Sequence, residues 1–227
     1  MPLANNYHTD MDEDCYRYPL HMLVCEDCWH GQLSVVVPGE AMFTDYPYLS
    51  SGSRTFKEHC WKLVATAKER VAARRHVLDI GCNDGVLLSL FRKAGCDVFG
   101  VDPAANLVDR CRADGLPVAC AFWGAEFADT LKLRFDIITA QNVFAHVPDP
   151  ADFLVGCATV LIDGGQVHIV LIGGHEDPAS GVIEVSVIPF IGVDLFPMQG
   201  SHLLKNHNSA FVIPVASDIK AGDADPI

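Results

Sequence analysis

The stretch that decides the fold runs from His76 to Asp102 and reads HVLDIGCNDGVLLSLFRKAGCDVFGVD. It begins with a short apolar run that carries one acid, Asp79, and it continues through a glycine-bearing turn from Gly81 to Gly85. An apolar helical stretch follows, then a break at Gly95 and a second apolar run that ends at Asp102. This order of strand, tight turn, helix and strand predicts the first half of a nucleotide-binding α/β fold.

The turn and the acid predict where a nucleotide-type ligand would bind. Glycines let backbone N–H groups approach a ligand closely at a helix N-terminus. Asp102, at the end of the second strand, is placed to accept hydrogen bonds from ribose hydroxyls. The dinucleotide fingerprint Gly-x-Gly-x-x-Gly does not fit, because Asn83 and Val86 occupy its second and third glycine positions. A related fold that binds another nucleotide, or none, stays open at this point.

Composition fits one α/β domain with a small appendage, since 50% of the 227 residues are hydrophobic and 18 are glycine. A net charge of −13 without a long basic run argues against nucleic acid or an anionic membrane as partner. No apolar stretch resembles a membrane span or a signal peptide, so we expect a cytoplasmic protein. There are nine cysteines, and those within apolar elements are predicted to be buried thiols, with disulfides as the alternative: Cys82, Cys96, Cys111, Cys120 and Cys157.

Residues 1–53 are predicted to form a separate, irregular segment. Cys25 and Cys28 make one C-x-x-C, which is half of a tetrahedral zinc site. The alternative is a metal-free knuckle, because a closed site needs two further ligands from the nearby Cys15, His8, His21 and His30. The tyrosine-rich stretch that includes Tyr46 and Tyr48 is predicted to be either a lid over a pocket or a linker packed on the domain.

Residues 54–216 are predicted to form the α/β domain, and 217–227 a polar, frayed tail. A capping box of Thr55 and Glu58 predicts a helix from Thr55 to Arg74. Phe122 is expected at the ligand edge, where its ring either packs on an adenine or belongs to the core. The other expected features are helices at 86–94, 103–113, 125–131 and 151–161, a turn at Gly164-Gly165, and strands at 118–121, 135–140, 166–172, Val182–Ile188 and Phe211–Val215.

The central stretch resembles motif I of class I S-adenosylmethionine-dependent methyltransferases, with Asp79 as the leading acid and Gly81 and Gly85 as the glycines. Longer segments resemble the zinc-domain sugar C-methyltransferases of deoxysugar biosynthesis. These segments are PLANNY at 2–7, PLHMLVCEDCWHGQL at 19–33, YPYLSSGSRTFKEH at 46–59, VLDIGCNDGVLLSLF at 77–91, GVDPAANL at 100–107 and FDIITAQNVFAHVPDPADFL at 135–154. The resemblance implies a Rossmann-like class I methyltransferase sheet of seven strands with helices on both faces, and S-adenosylmethionine and zinc as cofactors.

The resemblance also implies roles for single residues. The turn would hold the methionine end of the cofactor, and the cofactor site would contain Asp79, Gly81, Asn83, Asp84, Gly85, Asp102, Pro103, Phe122 and Asn142. His146, on the loop after the fourth strand, is the expected base or enolate-stabilising residue, unless it is a helix-entry histidine with a structural hydrogen bond. Tyr48, with Tyr46 as the alternative, is expected to close over the substrate.

The chain departs from the family pattern at both ends, so we expect a truncated relative. The family has a C-x-x-C before the segment at 2–7, and a Tyr-His-Glu-His segment and a second α/β lobe after the domain. Only Ile183-Glu184-Val185 resembles the late part of that pattern. The expected function is methyl transfer to carbon of a nucleotide-linked keto-deoxysugar. The alternatives are a non-catalytic cofactor-binding relative and an NAD-dependent oxidoreductase.

Overall fold

A computed structural model describes residues 17–26, 31–70, 75–172 and 182–187. Its strands are β1 Met22–Val24, β2 Gly31–Leu33, β3 His76–Ile80, β4 Asp97–Asp102, β5 Val118–Cys120, β6 Phe135–Gln141, β7 Leu161–Ile172 and β8 Val182–Val187. Its helices are α1 Gly39–Phe43, α2 Arg54–Arg70, α3 Val86–Lys93, α4 Ala105–Ala113, α5 Ala125–Thr130 and α6 Pro150–Val160, with 3-10 turns at Ser50–Gly52 and Phe144–His146.

The main sheet has six described strands in the order β5-β4-β3-β6-β7-β8. The first five of these are parallel, and β8 runs antiparallel to β7. The chain moves outward from β3 to β5 and then returns to the other side of β3, so the strand order reverses between β3 and β6. In open α/β sheets, ligands bind at the carboxyl ends of the strands at such a reversal. The predicted Rossmann-like fold class is confirmed.

Helices cover both faces of this sheet because successive apolar side chains of its central strands point to opposite faces. On β3, Val77 packs with residues of α2 and α3, whereas Leu78 and Ile80 pack with residues of α5 and α6. Leu88 of α3 joins Val108 and Cys111 of α4 in a further cluster on the α2 side. The core therefore consists of two apolar layers, one on each face of the mainly parallel sheet.

Four local predictions differ from the structure. Helix α2 begins at Arg54 rather than Thr55, and Ser53 rather than Thr55 is its cap, because Ser53 Oγ accepts a hydrogen bond from Phe56 N at 3.1 Å. Helix α4 begins at Ala105, so Pro103 lies before it. The glycine pair at 164–165 lies inside β7, where the pairing with β6 changes register, so it forms an irregularity rather than a turn before the strand. Cys120 is exposed at the end of the edge strand β5, whereas the other four thiols predicted to be buried are buried.

The late part of the chain is described only at β8, which matches the predicted strand from Val182. The predicted strand Phe211–Val215 and the tail 217–227 lie outside the described residues, as does the end of the first predicted helix at 71–74. In the part of the chain that the structure describes, no helix combines the length and apolar character that crossing a membrane requires.

Candidate functional site

The predicted glycine turn lies at the carboxyl edge of the sheet, at the centre of the strand reversal. Ile80 pairs with Val101 on one side and with Ala140 on the other, so the residues that follow these three strands emerge at the same level. Gly81 has a φ of 66°, and a Cβ added there would collide with the side chain of Val143. The turn is therefore a place where only glycine lets the loop after β6 approach β3 closely.

Asp102 faces this turn from the end of β4. Its carboxylate accepts hydrogen bonds from Asn83 N at 2.8 Å and from Ala104 N at 2.9 Å. Burial raises the pKa of Asp102, and these two backbone donors oppose that shift. Each carboxylate oxygen has a second lone pair, so the group can still accept bonds from ligand hydroxyls. Pro103 follows it, with its carbonyl 3.6 Å from Cys120 Sγ.

The side chains of Asn83 and Asp84 contact the N-terminal part of the chain. We call residues 39–53 the strap. Asn83 Oδ1 accepts from Ser50 N at 2.9 Å, and Asn83 Nδ2 donates to Tyr48 O at 3.1 Å. Asp84 Oδ2 accepts from Ser51 N at 3.1 Å. These two residues therefore attach the strap to the glycine turn.

The other end of the strap contacts α4 and the residues that follow β5. Asn106 exchanges two hydrogen bonds with the backbone of Tyr46, at 3.1 Å and 2.9 Å. Ala105 N donates to Thr44 O at 3.0 Å. A Cβ added at Gly39 would lie 3.1 Å from Cε1 of Phe122, so Gly39 packs against that ring. The strap thus lies along the carboxyl ends of β3 to β5, where the sequence predicted either a lid or a linker.

A row of aromatic rings joins the two predicted catalytic residues. His146 ends the 3-10 turn after β6, is exposed, and lies 6.1 Å from the ring of Phe43. Phe43 lies 5.9 Å from Tyr46, which lies 6.3 Å from Tyr48. His146 and Tyr48 therefore lie at opposite ends of one row, both on the ligand side of the sheet.

Sequence reasoning named Asp79 but missed the other polar groups that are buried with it between the sheet and α2. Asp79, at 3% exposure, accepts a hydrogen bond from Thr139 Oγ1 at 2.7 Å. At the tip of β6, Gln141 Oε1 lies 2.8 Å from His59 Nε2 of α2. Burial, and then the charge of Asp79, raise the pKa of the Cys60 thiol to about 12. Thr139 and Gln141 are polar residues at alternate positions of the apolar run FDIITAQ, and this pattern could have identified them. No comparable pattern in the sequence identifies His59.

Two polar atoms at this edge have no hydrogen-bond partner among the described residues. They are Nε2 of Gln141, a donor, and Oδ1 of Asn142, an acceptor, and both atoms are buried. Asn142 also has a φ of 59°, which is the left-handed region that a non-glycine residue adopts at some energetic cost. Buried polar groups are normally paired, so a water or a ligand would complete these two atoms.

Asp79 leads to a prediction about stability. Burial raises the pKa of Asp79 from 3.8 to about 7. Its folded pKa lies above its unfolded one, so its contribution to stability is complete below pH 3.8 and is lost as the pH rises through 7. Asparagine does not ionise, so Asp79→Asn should not lose this stability. We expect its free energy of unfolding, relative to that of wild type, to rise by about 2–3 kcal/mol between pH 5 and pH 8. Urea unfolding at both pH values measures this, and equal differences at both values would contradict it.

Cys25, one of the two predicted zinc ligands, lies at a small hairpin. Strands β1 and β2 pair antiparallel with Val24 opposite Gly31, so residues 25–30 connect them. Cys25 is exposed at the start of that connection, and Cys28 lies outside the described residues. Among the described residues, no three His, Cys, Asp or Glu side chains come together as a metal site.

Two protein-family models match the chain. The model described as "Methyltransferase domain" matches residues 53–181. The model described as "Putative zinc binding domain" matches residues 1–43. The first match covers the five parallel strands of the main sheet and their helices, and the second covers the segment that contains the hairpin and α1.

Curated proteins and solved structures give further similarities. The C-methyltransferase NovU of Streptomyces niveus is 33% identical over 175 residues, which are 74% of this chain and 42% of NovU. The ubiquinone biosynthesis O-methyltransferase of Methylococcus capsulatus is 37% identical over 100 residues, which are 42% of each protein. The chain therefore spans less than half the length of these two relatives. The solved plantazolicin methyltransferase BamL, in complex with a triazolic substrate analogue and S-adenosylhomocysteine, has a TM-score of 0.47 and 17% identity over 54% of this chain and 49% of BamL. Because the methyltransferase model matches more than half of the sequence, the chain belongs to the methyltransferase-domain family.

Proposed function

We propose that the chain carries the cofactor site and part of the substrate site of an S-adenosylmethionine-dependent C-methyltransferase that acts on a nucleotide-linked keto-deoxysugar. One observation carries the proposal: the glycine turn, Asp102 and the loop with His146 emerge at the same edge of the sheet, at the strand reversal and beside the strap. The name of NovU, a C-methyltransferase, supports the choice of carbon as the methyl acceptor.

The residues at this edge suit the proposed cofactor in three respects. The second lone pairs of Asp102 suit two ribose hydroxyls, which only donate to them. The left-handed turn from Gly81 to Gly85 presents backbone amides at the start of α3. Phe122, at 41% exposure beside the end of β5, supplies an apolar ring for an adenine. In this proposal Asn83 and Asp84 act through the strap that they hold.

The proposed reaction requires the protein to align the two reactants and to accept one proton. The bound sulfonium supplies a methyl group that is already activated for in-line displacement. A carbon acceptor must first lose a proton, and a neighbouring ketone makes the C3 proton of a 4-keto sugar acidic. His146 is the proposed base, since imidazole is the side chain that most often acts as a general base in enzymes. The proton moves from C3 to the ring nitrogen of His146, and the electron pair becomes the enolate.

Tyr48 is proposed to contact the sugar from the strap. Its side chain is 48% exposed, and the ring row through Tyr46 and Phe43 connects it with His146. A hydroxyl at that place can donate to the ketone oxygen as its charge increases.

A second candidate is methyl transfer to oxygen, which the relative from Methylococcus capsulatus favours by its name. An oxygen acceptor such as a phenol loses its proton far more readily than a carbon acid, so His146 would matter less for it. A cofactor-binding relative without turnover is the third candidate.

A methyl-transfer assay distinguishes these candidates. The chain is incubated with labelled S-adenosylmethionine and either a nucleoside-diphosphate 4-keto-6-deoxyhexose or a phenolic acceptor. We expect label in the sugar and, in D2O without methyl donor, exchange of its C3 proton for deuterium. Label in the phenol alone would favour the oxygen reaction. Binding of S-adenosylhomocysteine without any turnover would favour the non-catalytic relative.

We propose further that residues 1–53 form a zinc-dependent unit and 54–216 the methyltransferase unit. Cys25 and Cys28 would supply two thiolates from one turn, and the family match over 1–43 supports a metal there. Metal analysis of the purified chain is expected to give zinc that Cys25→Ser removes. Absence of zinc from the wild-type chain would contradict this.

A further inference from the structure

The inference concerns the amide of Gln141, whose two ends face different surroundings. Gln141 is 9% exposed and ends β6, one residue after Ala140, which pairs with Ile80. Its oxygen lies 2.8 Å from Nε2 of His59, and its nitrogen has no partner among the described residues. The unpartnered end is a pair of N–H donors at the same level as Gly81, beside the glycine turn.

His59 is the partner of the oxygen end of this amide. With the amide oxygen toward His59, Nε2 of His59 carries the proton that it donates to Gln141. The reversed amide would require the other tautomer, in which Nε2 accepts from the amide nitrogen. His59 itself is held in α2, next to Cys60, which is fully buried against the sheet. The direction of the Gln141 donors is therefore coupled to the tautomer of His59.

The next residue along the chain carries an unpartnered acceptor. Oδ1 of Asn142 is buried and has no partner among the described residues, and the following residue, Val143, packs against Gly81. A donor and an acceptor on successive residues at this edge suit a ligand group that carries both a carboxylate and an ammonium. Asp79 and Asp102, the buried acids on strands β3 and β4, offer no positive charge. A carboxylate at this edge would therefore depend on neutral donors such as those of Gln141.

This inference rests on the proposed S-adenosylmethionine site. We propose that His59 is a positioning residue, which holds the Gln141 amide so that its N–H donates to the α-carboxylate of the cofactor's amino-acid end, while Asn142 Oδ1 accepts from the α-ammonium. The nucleoside end of the cofactor touches none of these three residues in this arrangement. The contribution of His59 is therefore specific to ligands that carry the amino-acid part.

Calorimetric titration of the whole chain with three ligands tests the proposal. The ligands are S-adenosylhomocysteine, its decarboxylated analogue, and 5′-deoxy-5′-methylthioadenosine, which lacks the amino acid altogether. Gln141→Met and His59→Leu are expected to weaken S-adenosylhomocysteine by about 10–100-fold, the range for a lost hydrogen bond to a charged group. Both variants should bind the other two ligands within about threefold of wild type, since no carboxylate is present to lose.

Two further variants separate positioning from structural support. His59→Gln places an amide N–H near the position of the ring nitrogen and is expected to restore most of the affinity for S-adenosylhomocysteine. Gln166→Met is the matched control, because Gln166 also pairs with a histidine, His168 at 3.1 Å, but lies opposite Ile137, about 13 Å along the strand from Gln141. It should leave all three affinities unchanged.

The outcomes that overturn the proposal are distinct from failure of the proposed function. Equal weakening of all three ligands by Gln141→Met or His59→Leu would assign these residues a structural role. If both variants bind S-adenosylhomocysteine as tightly as wild type does, the proposed contact with the carboxylate does not exist. If Gln141→Met does not fold, the comparison of His59→Leu with His59→Gln decides alone. A wild-type chain that binds none of the three ligands would refute the cofactor site itself, whatever the variants do.

Discussion

Asp102→Ala is expected to abolish measurable binding of S-adenosylhomocysteine. If the two proposed ribose bonds are each worth about 1.5–3 kcal/mol, their loss weakens binding by about 10²–10⁴-fold. The substitution also removes the acceptor for Asn83 N and for Ala104 N, so the turn and the start of α4 lose their fixed positions. Calorimetry with S-adenosylhomocysteine measures the effect.

Asp109→Ala is the control for this variant. Asp109 lies on α4 with 80% of its side chain exposed, and it forms a long ion pair of 4.0 Å with Arg112. Removal of this acid changes the net charge by the same amount, and it should leave the affinity within twofold of wild type. An Asp102→Ala chain that is folded and binds normally would place the ribose elsewhere and remove the basis of the proposed cofactor site.

His146→Ala is expected to lower kcat for methyl transfer by about 10²–10⁴-fold, the usual contribution of a general base. Affinity for S-adenosylhomocysteine should stay near that of wild type, because the exposed His146 ring contacts Phe43 rather than the glycine turn. Exchange of the C3 proton in D2O should fall by the same factor as kcat, because both need the same proton transfer.

The matched variant is Phe43→Leu, which removes the ring beside His146 without removing a titratable group. It should affect KM more than proton exchange. Loss of both cofactor affinity and kcat in His146→Ala would indicate a structural histidine at the entry to α6. Full exchange activity in that variant would assign the base to another residue.

The parts of the fold that the sequence predicted depend on local chemistry. Gly81 and Gly85 need left-handed backbone, and the apolar run before them alternates between two buried faces, so the turn at the end of β3 is evident from neighbouring residues alone. The parallel order of the strands follows from the helices between them. The roles assigned to single site residues remain predictions.

The contacts that the sequence did not predict join residues far apart in the chain. His59 and Gln141 are 82 positions apart, and Ser50 and Asn83 are 33 apart. Such pairs depend on how α2 and the strap pack on the finished sheet, which no local pattern encodes. The cap of α2 was missed for a different reason: Thr55 and Glu58 have the spacing of a capping box, but Ser53 bonds to Phe56 N, and Glu58 instead pairs with Arg54 at 2.8 Å.

Asn83 joins groups that would otherwise respond to a ligand separately. Its backbone N–H donates to Asp102, its carbonyl accepts from Cys111, and its side chain bonds to Ser50 and Tyr48. Any shift of Asp102 toward a nucleoside is therefore transmitted through one residue to the segment that carries Tyr48. Thermodynamic linkage makes such coupling reciprocal: whatever the first ligand does to the affinity of the second, the second does to the first by the same factor.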